Sequence, residues 1–228
     1  MKSKQLRILL LIFTFASITL VVGKLILDPN IGKRRLAAIV FPETVPLDGW
    51  KLQANKPFIS RTTEDKQTIG KPLERGRSYQ YSQNNQLLDI ETIYELDSFG
   101  EYKLFLRNYS ALNAAPSEQF FVVRKQPGVG TYGMYLVQDR AYLTACINSQ
   151  GGSTLTRQQF ESNRINNDLL GDRTIPWLMG KSSLRDTRCL WSHFSLPLNK
   201  SSPQATYAVL EKAWFSWYQW WVLHYPQE

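Results

Sequence analysis

The stretch TYGMYLVQDRAYLTACIN, residues 131–148, decides the fold class of this chain. Its two halves are rich in aromatic and branched residues, and the polar pair Asp139 and Arg140 separates them. Two short segments of this composition joined by two polar residues are typical of neighbouring antiparallel strands. We therefore expect a β-hairpin here, with one face in the core and the other in contact with water.

Three further segments before it have the same character, which extends the prediction from a hairpin to a sheet. They are LLDIETIYEL (87–96), EYKLFLRNYS (101–110) and EQFFVVRK (118–125), and turn-forming residues separate them. The spacing predicts an antiparallel meander of about five strands. The polar region 51–86 predicts loops and at most one edge strand.

Two helices are predicted after the strands. Thr156 and Gln159 form a capping-box pattern at the start of TRQQFESNRINNDLL, and Gly171 is a natural stop. The last helix has Ser202 as its cap and Pro203 in its first turn. Its large apolar residues then recur every three or four positions: Tyr207, Leu210, Trp214, Trp217 and Trp221. The predicted fold class is α+β, an antiparallel sheet covered by helices.

The N-terminus predicts a membrane anchor. Residues 8–27 are apolar or small except for Lys24, and three cations precede them. Such a segment is long enough to span a bilayer, and the positive-inside rule then places the rest of the chain outside the cytoplasm. We predict an anchor over 1–30, a basic linker over 31–40 and a domain over 41–228. A cleaved signal peptide is the alternative.

The net charge of +8 does not indicate a nucleic-acid-binding protein. Residues 1–36 hold seven basic residues and one acidic residue, which leaves +2 for the other 192. Charges of both signs alternate in that remainder, without a basic stripe beside stacking aromatic residues. The basic excess belongs to the N-terminal end. For Gly32 to Arg35 there are two interpretations, contact with anionic headgroups and a solvated juxtamembrane linker, of which the linker is favoured.

The two cysteines admit two interpretations. Cys146 and Cys189 in a domain outside the cytoplasm predict one structural disulfide. The alternative is a catalytic Cys189 thiolate with His193 or His224 as its base. Neither residue type has the close paired spacing of a zinc site, and no cofactor is expected.

Two glycine-rich segments and the acidic pairs receive structural interpretations. GVGTYG (128–133) matches a dinucleotide-binding pattern, but no helix follows it, so we expect a hairpin loop. NSQGGSTLT (148–156) is interpreted as a turn followed by a helix cap. Asp89 and Glu91 share one strand face and are expected at a solvated strand edge.

Aromatic residues nearly encircle the last helix in AWFSWYQWW (213–221). One side, including Trp214, Trp217 and Trp221, is expected to fill the core. For Phe215 and Tyr218, outside that side of the helix, we expect contact with a membrane partner or headgroups. The candidate partner-binding residues are Trp214, Phe215, Tyr218 and Trp220.

Four segments together resemble a known family. FPETVPLDGW (41–50), LTACINSQGGST (143–154), RDTRCLWSHFSLPL (185–198) and EKAWFSWYQWW (211–221) are similar to segments of the small cyanobacterial proteins associated with cyanoexosortase A. The resemblance covers nearly the whole chain from Phe41 onward. It implies an accessory to an intramembrane cysteine transpeptidase that sorts surface proteins, with links to exopolysaccharide export.

The resemblance implies a non-enzymatic role. The catalytic cysteine of such systems lies in the multi-spanning partner, and the accessory family has no established catalytic residues. We expect a single-pass protein of the plasma membrane whose domain binds the sorting enzyme, its substrates or polysaccharide. Two alternatives remain open: a thiol hydrolase using Cys189 and His193, and a carbohydrate-binding module with aromatic side chains exposed on the sheet.

Overall fold

A computed structural model describes residues 2–27, 39–57, 76–110, 112, 121–169, 185–198 and 202–226. Four α-helices and seven strands lie in these ranges. In chain order they are α1 (Lys2–Leu27), β1 (Lys51–Pro57), β2 (Gly76–Gln83), β3 (Gln86–Glu95), α2 (Tyr102–Tyr109), β4 (Phe121–Gln126), β5 (Gly130–Val137), β6 (Arg140–Ile147), α3 (Arg157–Arg164), β7 (Cys189–Pro197) and α4 (Pro203–Leu223). A π-helical turn, Ile165–Leu169, follows α3.

The N-terminal helix α1 has the length and composition of a membrane span. Its 20 residues from Lys4 to Gly23 rise about 30 Å, the thickness of the hydrocarbon core of a bilayer. None of this stretch is buried against the rest of the protein. Within the described ranges it is the one helix that is long and apolar enough to cross a membrane. The predicted apolar N-terminal helix is confirmed.

The seven strands form one antiparallel sheet in the order β1-β2-β3-β7-β6-β5-β4. The α+β class is confirmed, but the sheet has seven strands where about five were expected. It is also not a simple meander. Two three-stranded meanders, β1-β2-β3 and β4-β5-β6, flank β7. This strand is the last in the sequence and pairs with both β3 and β6.

The prediction of at most one edge strand in the polar region 51–86 was wrong, because β1 and β2 both lie there. Tyr79 and Tyr81 alternate on β2 and are buried, and each hydroxyl donates a 2.7 Å hydrogen bond to a backbone carbonyl, of Pro42 and Val45 respectively. A tyrosine can fill a core while its neighbours remain polar, so composition alone resembles a loop.

The turn between β2 and β3 gives the local reason for that hairpin. Asn84 and Asn85 have φ values of 47° and 61°, both in the left-handed region. A two-residue turn with positive φ at both positions matches the twist of antiparallel strands, and asparagine tolerates this conformation better than most residues.

The predicted strand over 101–110 is the helix α2. Its sequence alternates at Tyr102, Leu104 and Leu106, but Tyr102, Phe105, Leu106 and Tyr109 also follow helical spacing. Tyr102, Phe105 and Leu106 are the buried residues. The Glu101 side chain accepts a 3.4 Å hydrogen bond from the Lys103 backbone N–H, which caps the first turn.

The other predicted helix starts are confirmed. The Thr156 hydroxyl accepts from the Gln159 N–H at 3.4 Å, and the Gln159 side chain accepts from the Thr156 N–H at 3.3 Å. Ser202 caps α4 by accepting from the Ala205 N–H at 3.2 Å. The predicted stop at Gly171 lies outside the described residues.

Helices cover the two faces of the sheet unequally, with β7 in the middle. Helix α4 packs on one face, where Phe194 of β7 meets Trp214 and Trp217 edge-on, with ring centroids 5.8 Å apart in each pair. Helices α2 and α3 pack on part of the other face, where Trp191 stacks on Phe105 at 5.5 Å. Because β7 is buried on both faces, its sequence CLWSHFSLP reads as a nearly continuous apolar run.

A buried ion pair, Asp186 with Arg188, precedes β7. Its closest nitrogen and oxygen are 2.5 Å apart, and Arg188 also donates to the Pro226 carbonyl beyond α4 at 2.7 Å. Burial alone would raise the pKa of the Asp186 carboxyl, but the hydrogen bonds and charge of Arg188 outweigh it and hold that pKa below its usual value.

The Asp186 carboxylate should therefore make stability depend on acid pH. A carboxyl whose pKa is lower in the folded than in the unfolded state stabilises the fold above its unfolded pKa, and this contribution is lost as the pH falls through the folded value. We expect Asp186→Asn to lower the free energy of unfolding at pH 7 and to flatten its decline below about pH 4. Urea denaturation at a series of pH values measures both effects. The exposed Asp48→Asn is the control, and an unchanged acid profile in Asp186→Asn would contradict the prediction.

Candidate functional site

A disulfide joins the two central strands on the face opposite α4. Cys146 on β6 and Cys189 on β7 have Cα atoms 5.6 Å apart and are both buried. They are 43 residues apart in sequence, so the bond closes a loop that contains α3. Because the chain has only these two cysteines, neither is a thiol in this structure.

The disulfide removes the nucleophile that the thiol-hydrolase alternative requires. His193 lies on the same face of β7 as Cys189 but four residues along the strand, a distance of about 13 Å. Its ring nitrogens contact Tyr135 and Glu91 instead. The second candidate base, His224, is near the end of α4, where its Nδ1 is 2.7 Å from the Trp220 carbonyl oxygen.

The four candidate partner-binding residues on α4 divide into two pairs. Trp214 and Tyr218 are buried, so the structure corrects their expected place at a partner surface. Trp214 packs on Phe194, and the Tyr218 hydroxyl donates to the Gly151 carbonyl at 3.3 Å. Tyr218 is buried because the loop at Gly151 and the Trp214 ring, 5.8 Å away between centroids, both lie against it.

Phe215 and Trp220 are the two candidates that remain partly exposed. The edge of Phe215 meets the Tyr132 ring, with centroids 5.9 Å apart, and Trp220 stacks on His224 at 4.0 Å. These contacts fix both rings at the flanks of the exposed stripe of α4. The prediction of a partner-binding surface is thereby narrowed to Phe215 and Trp220.

The opposite face of the sheet contains a cavity that the sequence did not indicate. Helices α2 and α3 cover the half of this face around Trp191, and beyond the end of α2 the strands line a cavity of about 480 Å³. Residues of β1, β2, β3, β6 and β7 line it, together with Ser110 and Leu112 after α2, and most of these residues have polar side chains. His193 and Tyr142 lie in it, together with the charged residues Asp89, Glu91 and Arg140.

His193 anchors one side of this cavity. Only 4% of its surface is exposed, and it lies between the Tyr142 and Trp191 rings, each with its centroid 5.3 Å away. The Tyr135 oxygen is 2.8 Å from Nε2, and Glu91 is 3.3 Å from Nδ1. Burial raises the pKa of Tyr135 well above its ordinary value, so the phenol stays protonated. In the tautomer in which the Tyr135 phenol donates to Nε2, Nδ1 carries the ring proton and donates it to Glu91.

Arg140 organises the other side. Its guanidinium donates to Asp89 at 2.6 Å and to the Ser195 hydroxyl at 2.8 Å, and Gln80 donates to Asp89 at 2.9 Å. The Arg140 and Asp89 side chains are 30% and 38% exposed, so their ion pair contributes little to stability. The expectation that Asp89 and Glu91 lie at a solvated edge was wrong, because β3 is an interior strand between β2 and β7.

The charges of the cavity balance. Lys56 and Arg140 contribute two positive charges, and Asp89 and Glu91 contribute two negative ones. Side chains that already pair with each other offer hydroxyl, amide and carboxylate groups in fixed positions, which suits an uncharged ligand rich in hydroxyl groups. The described residues contain no cluster of three or more histidine, cysteine, aspartate or glutamate side chains that could hold a metal ion.

The two glycine-rich segments, 128–133 and 148–156, pack against each other and share backbone hydrogen bonds. Gly130 has a φ of 112°, and a side chain there would collide with the backbone of Ser153. The close approach allows the Thr131 N–H to donate to the Ser153 carbonyl at 2.8 Å and the Ser153 N–H to donate to the Val129 carbonyl at 2.7 Å. The hairpin-loop prediction for GVGTYG is confirmed, and neither segment needs a ligand to explain it.

No known protein family, curated protein or solved structure matches this chain.

The disulfide should contribute strongly to stability. Replacing both Cys146 and Cys189 by alanine should lower the free energy of unfolding by about 2–4 kcal/mol, because the crosslink restricts the unfolded chain. Urea denaturation with and without reductant measures this effect. The reductant should destabilise the natural protein and leave the double variant unchanged. Equal stability of the natural protein under both conditions would contradict the prediction.

Proposed function

We propose that this chain is a membrane-anchored, non-enzymatic accessory protein of an exosortase-type protein-sorting and exopolysaccharide-export system. The observation that carries the proposal is a buried disulfide in a domain that follows an apolar helix of spanning length. Disulfides persist mainly outside the reducing cytosol, so an anchor and a crosslink in one chain support an extracytoplasmic domain.

The positive charges before the apolar part of α1 support a cytoplasmic N-terminus and an extracytoplasmic domain. Lys2, Lys4 and Arg7 precede the apolar stretch, and positive residues are retained on the cytoplasmic side. The chain is then a single-pass protein of the plasma membrane with its C-terminal domain in the periplasm. The sequence resemblance from Phe41 onward supports the sorting system as its setting.

The partner in this proposal is the multi-spanning transpeptidase or the proteins that it sorts. Phe215 and Trp220 are the candidate contacts, because they are aromatic, partly exposed and held in place by neighbouring rings. Aromatic side chains with few rotatable bonds contribute more to an interface than most residues. The chemistry of sorting belongs to the partner, since the cysteines of this chain are bonded to each other.

Site-specific photocrosslinking tests this assignment. A photoreactive residue at Phe215 or Trp220 of the full chain, expressed in its native membrane, should form a product that contains the sorting enzyme. The same residue at Leu87, which is exposed on β3, is the matched control. Products of equal yield from all three positions, or none containing the sorting enzyme or a sorted protein, would contradict the proposal.

A second candidate function, saccharide binding, is favoured by the cavity around His193 and Arg140. The aromatic rings on this face stack on one another, as Tyr135 and Tyr142 do at 5.0 Å, so they do not form a flat exposed row. The favourable feature is the set of paired polar side chains, Asp89, Arg140 and Ser195, beside the partly exposed Tyr142. Ligand hydroxyl groups can exchange with the hydrogen bonds of such a lining, and one sugar face can contact the ring edge.

Binding of the host's purified exopolysaccharide, measured by calorimetry, tests this candidate. Arg140→Gln should weaken binding at least about tenfold, because Asp89 and Ser195 lose the group that positions them. Arg124→Gln is the matched control, since Arg124 lies on β4, away from the cavity, and is paired with Glu211 of α4. Absence of binding, or equal weakening in both variants, would exclude the cavity as a site for this polysaccharide.

A further inference from the structure

We infer that one end of the domain, formed by Val40 and the last turn of α4, rests on the surface of the lipid bilayer. The inference rests on the proposed anchor. It adds an orientation for the domain and a lipid-contacting surface that the proposed function does not contain.

The chain from the anchor joins the domain at the end of α4. Phe41 is buried and meets the Trp221 ring edge-on at a centroid distance of 6.2 Å. Tyr79 and Tyr81 then fix the following residues through hydrogen bonds to the Pro42 and Val45 carbonyls. The segment that links α1 to the domain, here called the tether, therefore ends beside the last turn of α4. This end point is the same whatever path the tether follows before Val40.

This end exposes apolar side chains. Outside α1, the two most exposed large apolar residues among those described are Val40 at 88% and Leu223 at 81%. Val222, the residue before Leu223, is 47% exposed, and Trp220 is partly exposed one residue before the buried Trp221. The last turn of α4 carries no basic residue that would hold it in water. Apolar side chains with a tryptophan at their margin suit the boundary between headgroups and acyl chains.

The length and the charge of the tether indicate that the exposed apolar end of the domain contacts lipid. Residues 28–39 join the end of α1 to Val40 and reach at most about 40 Å when fully extended. A short tether gives the attached surface a high effective concentration at the bilayer, so weak apolar contacts are sufficient. Lys33, Arg34 and Arg35 lie within this tether, and their charge favours anionic headgroups at the same place.

Quenching by brominated lipids tests the inference in the full-length protein. The native cysteines are bonded to each other, so one introduced cysteine can carry a fluorophore. Three variants are compared in proteoliposomes containing anionic lipid. Leu223→Cys and Leu87→Cys are measured with bromine near the headgroup end of the acyl chains, and Phe13→Cys, at the middle of α1, with bromine near their methyl end. Leu87 lies seven residues before Tyr94 on β3, and Tyr94 meets Tyr225 just after α4, so Leu87 is about 23 Å along the strand from that end.

We expect the Leu223 probe to be quenched at least threefold more than the Leu87 probe, and Val40→Asp in the Leu223→Cys background to reduce that quenching. Quenching at Phe13 but equal quenching at Leu223 and Leu87 would overturn the inference while leaving the anchor intact. Absence of quenching at Phe13 would overturn the anchor itself, and with it both the proposed function and the lipid-contacting surface.

Discussion

The structure depends on the insertion of β7 between β3 and β6. This strand is the last of the sheet in the sequence. It pairs with β3 along one edge and with β6 along the other, and it is buried on both faces. It joins two meanders that would otherwise each end in an unpaired edge. The disulfide from Cys189 to Cys146 fixes β7 to β6 covalently, and the Trp191 indole donates to the Thr144 hydroxyl at 2.8 Å across the same pair of strands. Helix α4 contacts this strand at Phe194 on one face, and α2 contacts it at Trp191 on the other.

The same insertion creates the cavity. Glu91 on β3 and Tyr135 on β5 are far apart in sequence from His193, and they meet it because β7 lies between the two meanders. A buried histidine with two hydrogen-bonding partners costs desolvation that an apolar residue would avoid, which favours a functional reason for keeping it. Helix α4, on the other face, binds the segment that arrives from the anchor. The sheet thus separates the cavity on one face from the apolar layer under α4 on the other face.

The sequence predicted the elements with strong local signals. The capping box at Thr156, the Ser202 cap and the alternation of β5 and β6 led to correct elements, because short-range physics determines them. Prediction from the sequence was wrong at 101–110, where the apolar residues fit both strand alternation and helical spacing. It was also wrong for β2, where tyrosines are the only large apolar residues of the strand. The cavity could not be predicted, since its residues are joined by a strand order that no local pattern encodes. The buried position of Tyr218 likewise depends on a loop contact at Gly151.

The central claim is that translocation delivers this domain to an oxidising space, where a disulfide stabilises it and chemistry is left to a partner. Alkylation of the protein in denaturant, directly after acid quenching of native membranes and followed by mass spectrometry, tests the claim most directly, because both cysteines are buried in the fold. The account predicts that neither Cys146 nor Cys189 is modified before reduction and that both are modified after it. Modification of both cysteines without reductant would contradict it.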